Sequence, residues 1–402
     1  MANLSNEELI QKATIVANDL ASGGKLNPAQ SDRFIDFVID ETVLKNNARV
    51  VRFRNESLEI DKIGVGRRVS LPKSEASDPS VRRGITTSKI TLTPKEVMTP
   101  FEVGDNFREL NIEGDNVEET IIRMMATQTA NDLEEGAING NKLGAARLQS
   151  ELLDDGSTTQ YIRDSFQGLW DGWSLLADSA NVLDADGQNI GLAILSRAIR
   201  ALPTKFRRNR KNLRWFMSPD LWQIYQEKLA TRATALGDSA ANGGEMSQGP
   251  FGIPAIATPL WEFEPITVEH VQLSGTTAVA LKSKNITDVV VTASTLGNVP
   301  TTPFTAGAGN DYVVDLAAGT IARDAAGNIG DGDTVKVTYR AAPQILLTHR
   351  SNMVLGIGRD IRIEKDRDIY KGVNQYAITT KADVQFEELD AIVKVRNVGK
   401  GV

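Results

Sequence analysis

The sequence predicts an α+β protein that is interrupted, late in its length, by a small all-β domain. Three observations carry this. Residues 116–136, "NVEETIIRMMATQTANDLEEG", repeat Val117, Ile121, Met125, Thr129 and Leu133 every four positions, with Ile122, Ala126 and Ala130 beside them, the stripe of a helix of about five turns. Residues 50–104 instead carry two β-like arms, "VRFRNESLEIDKIGVGRRVSL" and "GITTSKITLTPKEVMTPFEV", separated by the breaker-rich tip "PKSEASDPSVRRG". Residues 266–342 hold five Lys or Arg and seven Asp or Glu, sparser than the 24% charge of the whole chain, and no Trp or Met.

From the N-terminus, Ser5 caps a helix that Glu8 supports and Gly23 ends, predicted over residues 5–21. A second helix is predicted over residues 28–44. The ribbon of residues 50–104 follows; two strands alone are marginal in water, so it needs a supporting surface, and nothing nearby in the sequence supplies one. After the long helix come helices over residues 165–177 and 191–202, then a strand in "NLRWFMSP" and a helix in "DLWQIYQEKLA". In residues 266–342, strand-like runs at 288–292, 311–315 and 334–339 alternate with turns at Gly327–Asn328 and Asp331–Gly332, a small β-sandwich pattern. Val289, Val291, Val313, Ile321, Val335 and Val337 are its predicted core. Longer strands return in "QILLTHRSNMVLGIGRDIRIEKD" and "QYAITTKADVQFEELDAIVKVRNV".

Composition removes several function classes. The net charge of −7 argues against a dedicated nucleic-acid binder. With no Cys and only His270 and His349, disulfides, thiolate nucleophiles and imidazole metal clusters are not expected. No apolar run is long enough to span a membrane, and "MANLSNEELIQ" has neither the basic nor the apolar region of a signal peptide. "GVGRRV" lacks the third glycine of a dinucleotide loop. "DADGQN" at residues 184–189 begins like a calcium loop, but Asn189 stands where glycine is needed, so it reads as a plain turn. Glu118, Glu119, Glu134 and Glu135 sit at helix ends, where solvated charge is the ordinary reading; no catalytic residue, cofactor site or metal site is assigned. Lys205, Arg207, Arg208, Arg210 and Lys211 form a basic cluster that could face nucleic acid. Because the ribbon needs outside support, Arg67, Arg68, Arg82 and Arg83 near its tip read as inter-subunit contact candidates facing acidic groups of a neighbour, and Glu118, Glu119, Glu134 and Glu135 are contact candidates as well. Trp170, Trp173, Trp215 and Trp222 read as core.

Taken in order, an N-terminal arm, a long ribbon, a long helix, a mixed body with "LRWFMSPDLWQIYQEK", then "GPFGIPAIATPLW" and terminal strands resemble the major capsid proteins of tailed bacteriophages, the Hong Kong 97-like fold. The resemblance implies an N-terminal arm (1–49), an extended β-hairpin loop (50–104), a peripheral domain with the spine helix (105–150 and 351–402) and an axial domain (151–265 and 343–350). Residues 266–342 are then an inserted β-domain at an axial loop, on the outer surface. It further implies a non-enzymatic shell subunit forming hexamers and pentamers of an icosahedral head around double-stranded DNA. The expected partners are itself, a portal, a separate scaffolding protein, packaged DNA through non-specific contact and a decoration protein, with no membrane; the expected location is the virion, assembled in the host cytoplasm. An encapsulin-like nanocompartment shell is the alternative with the same fold. A cytoplasmic hydrolase with a β-rich insert is the alternative from another class, and an adhesin-like binder a third, which the absent export signal argues against.

Overall fold

The structure, a computed structural model, describes residues 14–15, 47–53, 55–64, 86–105, 117–143, 146–148, 161–208, 210–231, 249–293 and 303–400. Its body rests on two five-stranded sheets. The first contains β1 (Thr14–Ile15), β2 (Arg49–Arg52), β5 (Lys95–Gly104), β18 (Met353–Asp368) and β19 (Val373–Phe386), in the order β1-β5-β19-β18-β2. β19 is central: it pairs antiparallel with β18 on one side and with β5, from Val373↔Gly104 to Ala382↔Lys95, on the other. Alternation along β5 turns Val97, Phe101 and Val103 inward and leaves Glu96, Met98 and Pro100 exposed.

Helix α1 (Val117–Asn139) lies on that inner face, where Ile121, Ile122, Met125 and Ala126 pack against Phe101, Val103, Tyr376 and Ile378. The Phe101 and Tyr376 rings stack at 4.9 Å, a geometry worth about 1 kcal/mol beyond their burial. Thr129 sits on the same stripe without loss, because its hydroxyl donates to the Met125 carbonyl and accepts from the Thr99 hydroxyl. The helix runs three residues past Gly136, where it is predicted to stop. A Cβ at Gly136 would stand 3.2 Å from the Phe166 and Trp170 rings, and Trp170 Nε1 donates to the Gly136 carbonyl, so this glycine makes room for an aromatic rather than ending a helix.

The ribbon is only partly free. β3 (Leu58–Gly64) and β4 (Thr86–Leu92) pair from Leu58↔Leu92 to Gly64↔Thr86, but the second arm continues as β5 into the first sheet. Its base is docked as well: Leu92 is fully buried, and with Phe53 and Pro94 it covers Gly356 and Gly358 of β18. The Thr93 amide donates to Asp383 at 2.6 Å. Nothing nearby in the sequence supports the ribbon, and its base is held instead by β18 and β19, some 260 to 290 positions further along the chain.

The second sheet has the order β10-β9-β17-β20-β8: β10 (Ala255–Ala257), β9 (Leu213–Met217), β17 (Ile345–His349), β20 (Ile392–Arg396) and β8 (Asn181–Asp184). α3 (Leu192–Ala201) and α5 (Pro219–Ala230) pack Ile194, Leu195, Leu221 and Tyr225 onto Trp215, Ile345, Leu347 and Val393. Ser218 caps α5, accepting from the Leu221 amide, and Pro219 fills its first position. Trp170, Trp173, Trp215 and Trp261 are buried, and Trp222 packs half-buried against the same core. Two short helices, α2 (Trp173–Leu176) and α4 (Thr204–Arg207), and a small hairpin, β6 (Ala146–Leu148) with β7 (Tyr161–Arg163), complete the body.

Residues 266–342 form two three-stranded sheets around a core of their own. β11 (Ile266–Gln272), β16 (Thr334–Arg340) and β13 (Thr287–Ala293) make one; β12 (Val279–Ala280), β15 (Thr320–Arg323) and β14 (Tyr312–Asp315) make the other. Val291, Ile321, Val335 and Val337 are buried between them and Val289 partly so. Val313 is not: it is 43% exposed, while Tyr312 is buried and Val314 packs on the core. The strand was assigned correctly and its register by one residue wrongly, which exchanges the faces. Turns are fixed by aspartates. Asp311 accepts from the amides of Asn328 (2.7 Å) and Thr305 (2.8 Å), Asp324 from Ala326 (3.0 Å) and Gly309 (2.8 Å), and Asp331 from Gly275 (2.6 Å). These backbone hydrogen bonds hold all three carboxyls below the ordinary range.

Other expectations need correction. Thr14–Ile15 pairs parallel with Glu102–Val103, so no continuous helix covers residues 5–21; the rest of that span and the helix over 28–44 lie outside the described residues. The helix over 165–177 shrinks to Trp173–Leu176, preceded by turns. β20, assigned by sequence to the same domain as β18 and β19, lies inside the second sheet.

Gly356→Val should force Leu92 and Phe53 off β18 and lower stability by about 1–3 kcal/mol in denaturant unfolding. Because the three aspartate pKa values are depressed on folding, the stability they add is present above the ordinary Asp range, about pH 4, and drains away as pH falls through the lower folded values. Acid titration of thermal unfolding should therefore show a loss below about pH 4, flattened in a chain carrying Asp311→Asn, Asp324→Asn and Asp331→Asn.

Candidate functional site

Among the described residues no group of three or more His, Cys, Asp or Glu could hold a metal ion, and no helix is long and apolar enough to cross a membrane. The turn at Asp184 is braced from within: its carboxylate accepts from the Asp186 amide and from Asn397 Nδ2, and Lys284 stands 3.6 Å away. A polar cavity of about 70 Å³ lies between the end of α1, the neck of residues 262–267 and β20, far below the roughly 300 Å³ at which ligand pockets begin. Lys394 enters it and is tied to Asp178 (2.5 Å) and the Ser174 carbonyl (2.9 Å), while Lys282 reaches the same carboxylate at 3.7 Å. Burial holds the Lys394 ammonium below the ordinary lysine range, with Asp178 opposing that shift. Lys282 and Lys284 belong to the inserted module. Lys284 also reaches Asp186 at 2.7 Å, and its amide donates to Asn397. These contacts clamp the module to the second sheet.

The β18–β19 hairpin ends in Ile369 and Tyr370, which are 81% and 103% exposed. The turn is fixed: Asp368 accepts from the amides of Tyr370 and Lys371, Arg367 pairs with Asp105 at 2.9 Å, and the Asp105 amide donates to the Gly372 carbonyl. The turn therefore presents two large apolar side chains to water. It went unread in the sequence, although "DRDIYKGV" places an apolar pair among turn-forming charges.

A second surface is an acidic turn at Glu387, Glu388 and Asp390. Asn352, itself buried, holds it by donating to the Glu388 carbonyl and accepting from the Glu388 amide at 2.7 Å. Three cations from separate parts of the chain converge there: Arg49 of β2 on Glu387 (3.1 Å), Lys62 of β3 on Glu388 (3.9 Å), and Lys205 of α4 on Glu388 (3.2 Å) and Asp390 (4.0 Å). Lys205 is thereby engaged within its own chain and also lies over the Phe206 ring. Arg207 is half-buried, whereas Arg208, Arg210 and Lys211 are exposed. The predicted basic cluster is thus reduced to three outward cations.

The acidic candidates divide. Glu118 and Glu119 fall in the first turn of α1, with side chains outside the described residues. Glu134 is buried, and Glu135, half-buried, accepts from Gln167 Nε2 at 2.8 Å. Arg67, Arg68, Arg82 and Arg83 lie outside the described residues.

No family model matches the chain. It is 29% identical over 403 residues to the provisionally named prophage capsid protein YqbE of Bacillus subtilis (strain 168), covering 98% of this chain and 99% of that one. The capsid of a native GTA particle superposes with a TM-score of 0.50 at 13% identity, over 96% of this chain and 100% of that subunit. The capsid of cyanophage P-SCSP1u does so with a TM-score of 0.50 at 9% identity, over 99% and 100%. At such identities the superpositions establish a shared fold, and it is the α+β fold of capsid subunits, as the element order suggested.

Lys394→Met should leave Asp178 without its closest partner and cost about 3 kcal/mol in denaturant unfolding. Adding Asp178→Asn should restore part of that loss, giving a double variant less damaged than the sum of the singles.

Proposed function

We propose that this chain is the major capsid protein of a tailed phage or prophage, a structural subunit that assembles into hexamers and pentamers of an icosahedral head. The observation that carries it is end-to-end similarity: a relative named as a prophage capsid protein aligns over nearly every residue of both chains. The fold shared with GTA and cyanophage capsids supports the same reading. The exposed apolar pair Ile369 and Tyr370 at the tip of the β18–β19 hairpin is compatible with contacts between copies.

In this reading the first sheet with α1 is the peripheral domain and the second sheet with α3 and α5 is the axial domain, with β20 moved into the latter. The module of residues 266–342 stands on the outer surface, where it can meet neighbouring capsomers or a decoration protein. The ribbon reaches beyond its docked base onto a neighbour, with Arg67, Arg68, Arg82 and Arg83 toward acidic groups there. Tyr370 on its fixed turn is a further contact between copies. Arg208, Arg210 and Lys211 face packaged double-stranded DNA without sequence preference. A portal and a separate scaffolding protein complete assembly in the host cytoplasm.

Negative-stain microscopy of the expressed chain should show closed icosahedral shells; a persistent monomer would contradict the proposal. Deleting residues 73–83 should leave a folded chain that forms none. Shells filled with protein cargo and lacking nuclease-protected DNA after phage growth would favour the encapsulin alternative. Replacing Arg208, Arg210 and Lys211 with Gln should lower the slope of log K for duplex DNA against log salt by up to about 3.

A further inference from the structure

The module of residues 266–342 and the body share no core. Among the described residues, the apolar clusters of the module hold only residues between 266 and 341, and those of the body hold none of them. The two parts are joined by a neck of two chain segments side by side, where the Ala341 amide donates to the Pro265 carbonyl at 2.9 Å. Beside the neck lie two gaps rather than a packed seam. One is the polar cavity of about 70 Å³, bounded by Ser174 and Asp178 of the body and by Thr267, Lys282 and Ser283 of the module. The other is an open cleft of about 510 Å³, with Gly187, Asn189 and Val398 on one wall and Asn285, Leu316 and Ala317 on the other. A polar cavity with room for several waters is a wet contact, without the dispersion of a close-packed interior.

Between the gaps the module reaches the body through residues 282–285, with β6 against β11 close by. Lys282 stands 3.7 Å from Asp178, Lys284 stands 3.6 Å from Asp184 and 2.7 Å from Asp186, and the Lys284 amide donates to Asn397 at 2.9 Å. Each side of this contact is held in shape by its own part. Glu269 accepts from the Lys282 amide at 3.0 Å, and Gly319 packs so closely that a Cβ there would meet the Ser283 carbonyl oxygen at 2.0 Å. On the body, Lys394 fixes Asp178 at 2.5 Å, while the Asp186 amide and Asn397 fix Asp184. The lysines themselves stay wet: the side chains of Lys282 and Lys284 are 47% and 40% exposed.

We propose that the module is a rigid arm hinged at residues 264–267 and 340–344 and latched to the second sheet by Lys282 and Lys284, an electrostatic catch that salt releases. Two bodies with separate cores, a narrow neck and gaps on both sides of their contact can turn about the neck with few residues changing conformation. Salt screens exposed ion pairs and leaves apolar cores intact, so it weakens the catch without unfolding either body. A further ion pair, Lys400 with Glu264, sits at the neck itself and is subject to the same screening. What remains is one amide on Asn397 and the contact of the three-residue β6, too little to hold a separate domain at one angle. The inference concerns a single copy and stands apart from the capsid reading.

The chain has no cysteine, so spin labels on Ala325→Cys in the module and Glu227→Cys on α5, both exposed positions, report the angle between the two bodies in the full-length protein. Labelled chains are diluted in unlabelled ones, so that only distances within one copy are read. The distance distribution should be narrow at about 0.1 M salt and at least about twofold broader at about 1 M, where the screening length falls from about 10 Å to about 3 Å. Circular dichroism should not change. Lys282→Gln with Lys284→Gln should give the broad distribution already at low salt, and Lys282→Arg with Lys284→Arg should keep the salt response. A distribution that stays narrow at high salt would overturn the inference, because packing would then fix the module. So would a broad one at low salt without substitution, which leaves no latched state, or a Gln variant that stays narrow there, which takes the catch away from these lysines. Broadening accompanied by a loss of circular dichroism would also overturn it, since the module would then be unfolding rather than turning.

Discussion

β19 pairs with β18 on one edge and β5 on the other, and almost everything in the first sheet depends on those two ladders. The inner face of β19 gives α1 its packing surface, and Asp383 on β19 receives the Thr93 amide at the ribbon base. The second sheet depends on the same part of the chain: β17 is its middle strand and β20 lies between β17 and β8. Residues 345–396 therefore supply central strands to both sheets, while earlier residues supply the flanks. Such pairing closes loops of hundreds of residues before any contact rewards the entropy lost.

The inserted module obeys the opposite logic. Ile266 of β11 lies opposite Arg340 of β16, so the chain enters and leaves the module side by side. That geometry makes the insertion topologically cheap for the host. The module is nonetheless not a loose appendage. Lys282 and Lys284 join it to Asp178, Asp184, Asp186 and Asn397, and β6 lies against β11. Exposed ion pairs of this kind contribute little singly, so the orientation rests on several of them acting together with the Lys284 amide on Asn397 and the packing of β6 on β11.

Local signals were legible in the sequence and long-range ones were not. The four-residue repeat located α1, and strand–turn alternation located the sandwich of residues 266–342. The end of α1 was misplaced because Gly136 answers to Trp170, a partner 34 positions away. The ribbon looked unsupported because β19 lies hundreds of positions along the chain from β5. Glu134 and Glu135 looked like a solvated helix end because Gln167 is invisible to helical periodicity. Val313 and Tyr312 changed places because a one-residue register is not encoded in a four-residue strand of mixed polarity. Of the basic cluster, the side chains left outward were legible as charge, but the capture of Lys205 by Glu388 was not.

Synthesis runs from the N-terminus, and the position of residues 345–396 gives that direction a meaning. A ribosome that has made residue 342 has released every strand of the module but none of the central strands of either body sheet. The module can close while the body still lacks its middle. The docked ribbon base, the braced hairpin turn and the acidic turn at Glu387 all await residues beyond 352. These three features thus come into being only at the end of translation, and a chain terminated before residue 352 carries none of them.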